Sequence, residues 1–385
     1  MREILKTYKL LLLFSVLTLS SCKSKCEIEI RENSNIDNAV LITLAYPQSI
    51  VRTTDSFYSK LLPMIGMGVP GRMRAGHACM VIAKEGSDTF EYYDFGRYIT
   101  PLGLSRVRDA NTDPELTIDV KAKWKGKKLI NQEELLRWLR AHPEKTHGTG
   151  NLYASVSENV NYERVKEYIS IMQKKELWLY GPFISEGSNC SRFVTGAMYH
   201  GILDKEIHEK VKQLYWFTPS VLGNVDAANS YDKHIVVSED SVIYASNNLK
   251  LEQCKILFDM GDGYSAYCPE GSLVPPSKMI VEEDWQWLGG IGSGAWYDIE
   301  PTRCKNLFLV SCYNYKGKKE YSALYKSHNK ITLPEEFEVS YPSNYKVVTV
   351  LVDSVPVRLT RVKNTELKQY DLSKLLIAYT PANNK

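Results

Sequence analysis

The hydrophobic and polar positions divide the chain into a mixed first part and a β-textured second part. Asn38-Ala39-Val40-Leu41-Ile42-Thr43-Leu44-Ala45-Tyr46 is an apolar, β-branched run closed by Pro47, and it predicts a first buried strand. Asp55 to Leu62 reads as helix, stopped by the glycine-rich passage Gly66-Met67-Gly68-Val69-Pro70-Gly71. Arg74 to Ala83 then predicts a strand with His77 at its start, and Thr89 to Phe95 a second strand. Between them Lys84-Glu85-Gly86-Ser87-Asp88 carries turn chemistry, so the pair predicts a β-hairpin. Two amphipathic helices follow. Gln132 to Ala141 is ended by Pro143, and Tyr162 to Gln173 places Val165, Tyr168, Ile169 and Met172 at i, i+3, i+4 and i+7. Gly148 to Val156 reads as loop then strand. Ser185 to Asn189 is a polar, glycine-broken loop that enters an apolar helix from Cys190 to Gly201, and a further helix spans Lys205 to Leu214. From His234 onward short β runs dominate, such as Ile235–Val237, Leu307–Val310 and Val347–Val352. They predict a sandwich or barrel-like second domain over residues 234–385. Gly289 to Trp296 is glycine-rich but lacks the Lys-Ser/Thr ending of a phosphate loop, so it reads as a β turn.

The N-terminus has its own pattern. Arg2, Lys6 and Lys9 precede the apolar run Leu10–Leu17, too short to span a bilayer, and Leu19-Ser20-Ser21-Cys22 resembles the lipobox of bacterial lipoproteins. The expectation is an export signal over residues 1–22, a lipid on Cys22, a polar tether over 23–36 and residence in the cell envelope. Lys23 and Ser24 carry no aspartate retention signal, which points to the outer membrane. An ordinary secretory signal is the competing reading.

Composition narrows the partners. The 385 residues suffice for two domains, and 48 Lys+Arg against 45 Asp+Glu leave a net charge of only +3, so nothing points to nucleic acid. None of the 8 cysteines forms a close Cys-x-x-Cys pair, and neither metal nor cofactor is expected. Cys254, Cys268, Cys304 and Cys312 lie in the last third, where one or two disulfides would suit an exported chain. The 25 tyrosines and 7 tryptophans suit β-rich structure, a tyrosine-rich core, or a surface for carbohydrate or protein.

The candidate chemistry centres on Cys190. With Ser188 or Asn189 as N-cap, the cysteine enters the first turn of its helix, where free N–H groups and the helix dipole favour a thiolate. Packing as a small hydrophobe is the alternative. Thiol chemistry also needs an imidazole and a group to orient it. His77 is the leading imidazole. If Lys84–Ser87 is a four-residue hairpin loop, Ala83 pairs with Asp88 and Asp94 lies directly opposite His77, whereas a slip of one residue presents Tyr93 or Phe95. His142 and His147 flank a helix end, and His200 is about 15 Å of helical rise from Cys190.

Gly76-His77 opening a hairpin, a polar residue on its second strand, and the later Asn189-Cys190-Ser191-Arg192-Phe193-Val194 resemble the circularly permuted branch of the NlpC-type papain-like cysteine hydrolases. That branch is related to lecithin:retinol acyltransferase and has its histidine before its cysteine. The resemblance covers residues 37 to about 225 and implies an α+β fold: a permuted papain-like domain over 37–233, followed by the β-rich domain. It implies Cys190 as nucleophile, His77 as base and Asp94 as orienting group, with the Cys190 N–H in the oxyanion hole. Tyr46 and Ser191 are further oxyanion candidates, and Arg74 and Arg97 candidates for a substrate carboxylate. Two functions stand open. One is a lipid-anchored hydrolase cleaving an amide in a peptide or peptidoglycan fragment through an acyl-enzyme, with acyl transfer as its variant. The other is a catalytically silent binding lipoprotein whose Trp285, Trp287 and Trp296 take up glycan or a partner.

Overall fold

The computed structural model describes residues 28, 37–53, 60–182, 184, 186–215, 218–229, 233–261, 263–264, 273–276, 282–327 and 336–367. The expected signal, Cys22, the tether apart from Ile28 and most of the Asp55–Leu62 helix lie outside the described residues. The chain forms two compact units.

The first unit draws on Met1–Gly96, Gly103–Ala110 and Leu116–Cys268. Its centre is β1 (Asn38–Tyr46), and the small ribbon β2 (Val51–Arg52) with β3 (Arg72–Met73) follows it. β4 (His77–Lys84) and β5 (Glu91–Gly96) form the hairpin, joined by β6 (Leu104–Arg108). A second ribbon comprises β7 (Trp124–Lys125) and β8 (Lys128–Leu129). With β9 (Leu152–Asn161), β10 (Trp178–Leu179), β11 (His234–Val237) and β12 (Val242–Ala245), an antiparallel sheet of order β10-β6-β5-β4-β1-β9-β11-β12 results.

Both faces of that sheet are covered, which is why β1 is apolar at nearly every position. On one face α1 (Gln132–Ala141), followed by the single turn α2 (Pro143–Thr146), buries Leu135, Leu136 and Leu139 against Val40, Ile42, Leu44 and Val81. The other face carries α3 (Tyr162–Lys174), α4 (Cys190–Gly201), α5 (Lys205–Tyr215), α6 (Val221–Ala227) and α7 (Leu249–Leu257). They pack over Leu41, Ala45, Ala78, Met80 and Ile82. Alternate residues of β1 and β4 therefore feed two separate cores.

The domain boundary expected at His234 moves. Ile235, Val236 and Val237 pair with Ala154, Tyr153 and Leu152, so β11 and β12 extend the first sheet, and α7 belongs to the first unit as well. The buried face of α7 comprises Leu249, Gln253 and Ile256, and the polar Gln253 interrupts the apolar period. Its side-chain oxygen accepts from the Leu222 N–H at 3.2 Å.

The second unit draws on Arg97–Leu102, Asn111–Glu115 and Pro269–Lys385. Its strands are β13 (Gln286–Leu288), β14 (Ala295–Pro301), β15 (Leu307–Asn314), β16 (Lys319–Ser327), β17 (Glu338–Ser340), β18 (Val347–Val352) and β19 (Val355–Arg361), with the short α8 (Asn364–Leu367) after them. They form one antiparallel sheet, β13-β14-β15-β16-β19-β18-β17, curled until its edges nearly meet. Gln286 spans the remaining gap, accepting from the Val339 N–H at 2.7 Å and donating to the Phe337 carbonyl at 2.9 Å. Tyr297, Val310, Tyr325, Val348 and Leu359 fill the interior. The glycine-rich turn has a steric reason: a Cβ on Gly290 would lie 2.6 Å from the Ile99 nitrogen. Trp287 and Trp296 pack edge to face with ring centres 5.1 Å apart, Trp285 stacks on Tyr313 at 3.7 Å, and Trp296 keeps only 7% of its surface exposed.

The described cysteines 79, 190, 254, 304 and 312 are all free thiols, and Cys268 lies outside the described residues, so the expected bridges are not formed among those described. Among the described residues no helix is long and apolar enough to cross a membrane.

Candidate active site

Asn189 is the N-cap of α4. Its backbone is extended (φ −145°, ψ 178°), and its side-chain oxygen accepts from the Arg192 N–H at 2.8 Å, which places Cys190 at the first helical position. The turn is held from below. The Ser191 carbonyl accepts from Asn224 Nδ2 at 3.0 Å, and the Thr195 hydroxyl lies 2.8 Å from both that carbonyl and Asn224 Oδ1. Asn224 belongs to α6, which Ser155 of β9 ties to the sheet through the Val225 carbonyl at 2.7 Å. The nucleophile candidate thus stands on a buried, fully bonded support.

His77 opens β4 because Gly76 precedes it. Gly76 has φ 78°, and a Cβ there would lie 2.7 Å from Val221 Cγ2 and 2.9 Å from Pro47 Cα. Gly76→Ala is therefore expected to destabilise the first unit by about 2 kcal/mol or more, read as a lower urea midpoint with an unchanged slope. An unchanged midpoint would show that the turn tolerates a side chain.

The hairpin register differs from the expected one by two residues. Asp94 lies opposite Cys79 rather than His77, because the connection between the strands runs from Glu85 to Phe90 and exceeds the four-residue loop. A shift of two preserves the face, so Asp94 still reaches His77 diagonally: Nε2 is 3.5 Å from Oδ2.

Asp94 has no exposed surface and is held by three groups. Arg108 grips it in a fork, Nε to Oδ1 at 3.0 Å and Nη2 to Oδ2 at 2.6 Å, and the Tyr92 hydroxyl donates to Oδ2 at 3.1 Å. Arg108 is the direct cross-strand partner of Asp94 on β6. Burial disfavours the charged carboxylate, but the Arg108 cation and the His77 bond outweigh it and hold Asp94 well below the usual carboxylate range.

The next bond runs to the sulfur. His77 is hydrogen-bonded to both Asp94 and Cys190, and with Nε2 turned to the carboxylate, Nδ1 is left for the thiol. Burial alone would lower the His77 pKa, yet the bonds to Asp94 and Cys190 and their negative charges raise it to about 9. Burial likewise pushes the Cys190 thiol up, but the His77 bond and charge, together with the backbone N–H groups of Ala78 and Ser191, bring it below the ordinary thiol value. The arrangement favours a thiolate beside an imidazolium.

Of the expected site residues, Cys190, His77, Asp94 and Ser191 come together, Ser191 through its backbone. Tyr46 does not serve as an oxyanion donor: its ring is in the core beneath α1, and its hydroxyl donates to the Leu139 carbonyl at 3.4 Å. Arg74 is engaged by Asp259 at 2.8 Å and the Gly261 carbonyl at 3.2 Å. Arg97 is buried within the second unit. Arg108 and Tyr92 are not among the expected site residues: Tyr92 shares strand parity with Asp94 on β5, but Arg108 lies on β6, which carries no strand pattern in the sequence. His147, read from the sequence as flanking a helix end, has the charges of Arg108, Asp94 and His77 acting on its ring. Among the described residues no group of three or more His, Cys, Asp or Glu is arranged to hold a metal.

Two family models match parts of the chain. Residues 41–207 match the family described as type VI secretion system effector TseH-like. Residues 285–362 match the DUF6695 C-terminal domain. The first match spans β1 to the start of α5, and so contains Cys190, His77, Asp94 and Arg108. Among solved structures, the crystal structure of the type VI secretion system effector TseH aligns with 54% of this chain and 98% of its own, at 12% identity and a TM-score of 0.34. No curated protein matches the chain.

Proposed function

We propose that the first unit is a cysteine hydrolase of permuted papain-like type that cleaves an amide through an acyl-enzyme on Cys190. The observation that supports this reading is the buried chain of bonds from the Cys190 sulfur through His77 and Asp94 to Arg108. The thiolate attacks the carbonyl carbon, and the developing oxyanion is received by the Cys190 N–H at the helix start. The His77 imidazolium gives its proton to the departing amine, which leaves the acyl group as a thioester. Neutral His77 then takes a proton from water as the water attacks, and the returning proton reforms the ion pair as the acid is released. Asp94 keeps the imidazole turned to the sulfur and stabilises its charge, while Arg108 keeps Asp94 ionised and fixed.

The TseH-like match over residues 41–207 agrees with an effector of hydrolase type. The substrate class we favour is a peptide or peptidoglycan fragment met in the cell envelope, reached by a chain exported and lipid-anchored at Cys22. Mass spectrometry of the mature N-terminal peptide tests the anchor. For the activity, peptidoglycan muropeptides are incubated with the full chain and with Cys190→Ala. New amine termini from the parent alone support the reading, and identical product profiles from both proteins overturn it.

A further inference from the structure

Both members of the reactive pair lean on one short helix, α6, to which the reaction proposed above gives no part. The Cys190 turn is reached through Asn224, which has no exposed surface. Its Nδ2 donates to the Ser191 carbonyl at 3.0 Å. A carbonyl oxygen only accepts, so the amide is fixed with Nδ2 on that side and Oδ1 toward the Thr195 hydroxyl at 2.8 Å. The peptide unit that carries the Ser191 carbonyl is also held at its other end, where the Arg192 N–H donates to Asn189 Oδ1 at 2.8 Å. The residue directly after Cys190 is thereby pinned, and its own N–H is one of the two backbone groups that bond the sulfur. Three residues before Asn224, and so on the same face of α6, Val221 packs against the turn that carries His77: a Cβ on Gly76 would lie 2.7 Å from Val221 Cγ2.

The helix is itself anchored. From β9, Ser155 Oγ donates to the Val225 carbonyl at 2.7 Å and Ser157 Oγ to the Ala228 carbonyl at 3.2 Å, while Gln253 of α7 accepts from the Leu222 N–H at 3.2 Å. Packing alone would be served by an apolar residue at position 224, among Leu222, Val225 and Ala228. A fully buried amide is costly unless both of its ends are bonded, and both ends of Asn224 reach the first turn of α4. Proton exchange between a thiol and an imidazole needs the two within hydrogen-bond reach, and a displacement of about 1 Å is enough to lose it. We infer that Asn224 is a positioning residue: from the face of α6 that also abuts the His77 turn, it holds Ser191 so that the Cys190 sulfur stays within hydrogen-bond reach of His77.

This inference rests on the hydrolase reading, and the test separates the two. The iodoacetamide rate of Cys190 at pH 6, read by mass spectrometry of its peptide, is compared in the full chain, in Asn224→Ala and in Ser157→Ala, each shown by urea unfolding to be folded without denaturant. Ser157→Ala removes a bond that anchors the same helix without touching Ser191, so it lowers stability alone. Asn224→Ala is expected to slow alkylation about tenfold and to raise the pH midpoint of the thiolate absorbance by about one unit. Ser157→Ala should leave the rate within about twofold and the midpoint unmoved. Asn224→Ser keeps a hydroxyl for Thr195 but falls short of the Ser191 carbonyl, and where alanine does not fold the same tenfold fall is expected of serine. A rate unchanged in either folded Asn224 variant, or one that falls as far in Ser157→Ala, would overturn the role of Asn224. If the parent thiol reacts no faster at pH 6 than a free thiol, the hydrolase reading fails, and the inference with it.

Discussion

Arg108→Met is expected to be among the most damaging single substitutions in the first unit. It leaves the Asp94 carboxylate buried with its main counter-charge gone, and breaking a buried pair in this way costs about 3–5 kcal/mol. Asp94 would then bind a proton more readily, weakening its hold on His77, so hydrolysis should fall by an order of magnitude or more. The companion variant separates folding from chemistry. Asp94→Asn with Arg108→Met removes both charges and should regain much of the lost stability, measured by urea unfolding, while activity stays low. Recovery of activity in that double variant would show that the carboxylate does not serve His77.

The second large effect is on pH dependence. Because His77 is raised to about 9 while Cys190 is lowered, the reactive ion pair occupies the window between the two values. Hydrolysis should be bell-shaped, its alkaline limb falling near pH 9 as the imidazolium loses the proton it gives to the amine. The linkage to stability has a definite sign. Between about pH 6.5 and 8.5 the unfolded chain holds one proton, on the thiol, and wherever the fold keeps the ion pair it also holds one, on His77, so stability from the pair is level there. Above that window the unfolded chain holds none, and the His77 contribution is lost as pH rises through about 9. Below it the unfolded chain holds two, and stability falls with pH until Cys190 is protonated in the fold. In His77→Ala the alkaline limb should vanish and hydrolysis should drop by at least a hundredfold at pH 7.5. An alkaline limb retained in that variant would assign it to another group.

Much of this arrangement is legible in the sequence where a local rule and the tertiary environment agree. The nine apolar-rich residues of β1, the i, i+4 face of α3 and the Asn189-Cys190 cap each follow from pattern alone. The register of the β4–β5 hairpin does not, since the turn residues between Lys84 and Glu91 permit more than one loop length. Asp94 nevertheless reaches His77, because an error of two residues preserves strand parity. β6 escapes recognition because it turns the charged Arg106 and Arg108 inward, where a strand pattern calls for apolar residues. β11 and β12 resemble the strands that follow them, and only their pairing onto β9 assigns them to the first sheet. The expected roles of Tyr46 and Arg74 meet one obstacle: Tyr46 pairs with His77 across the sheet and Arg74 lies just before it in sequence, but their polar atoms bond to Leu139 and to Asp259.

The proposed hydrolysis depends most directly on the charge of one sulfur. The thiolate absorbance near 240 nm, recorded from pH 4 to 10 as the difference between the parent chain and Cys190→Ala, reports that charge without a substrate. The prediction is a thiolate signal whose midpoint lies below the ordinary thiol range, and that moves to alkaline pH in His77→Ala. A parent signal that instead appears near pH 8.5, as for a free thiol, and is unmoved by His77→Ala would contradict the ion pair and the hydrolase built on it.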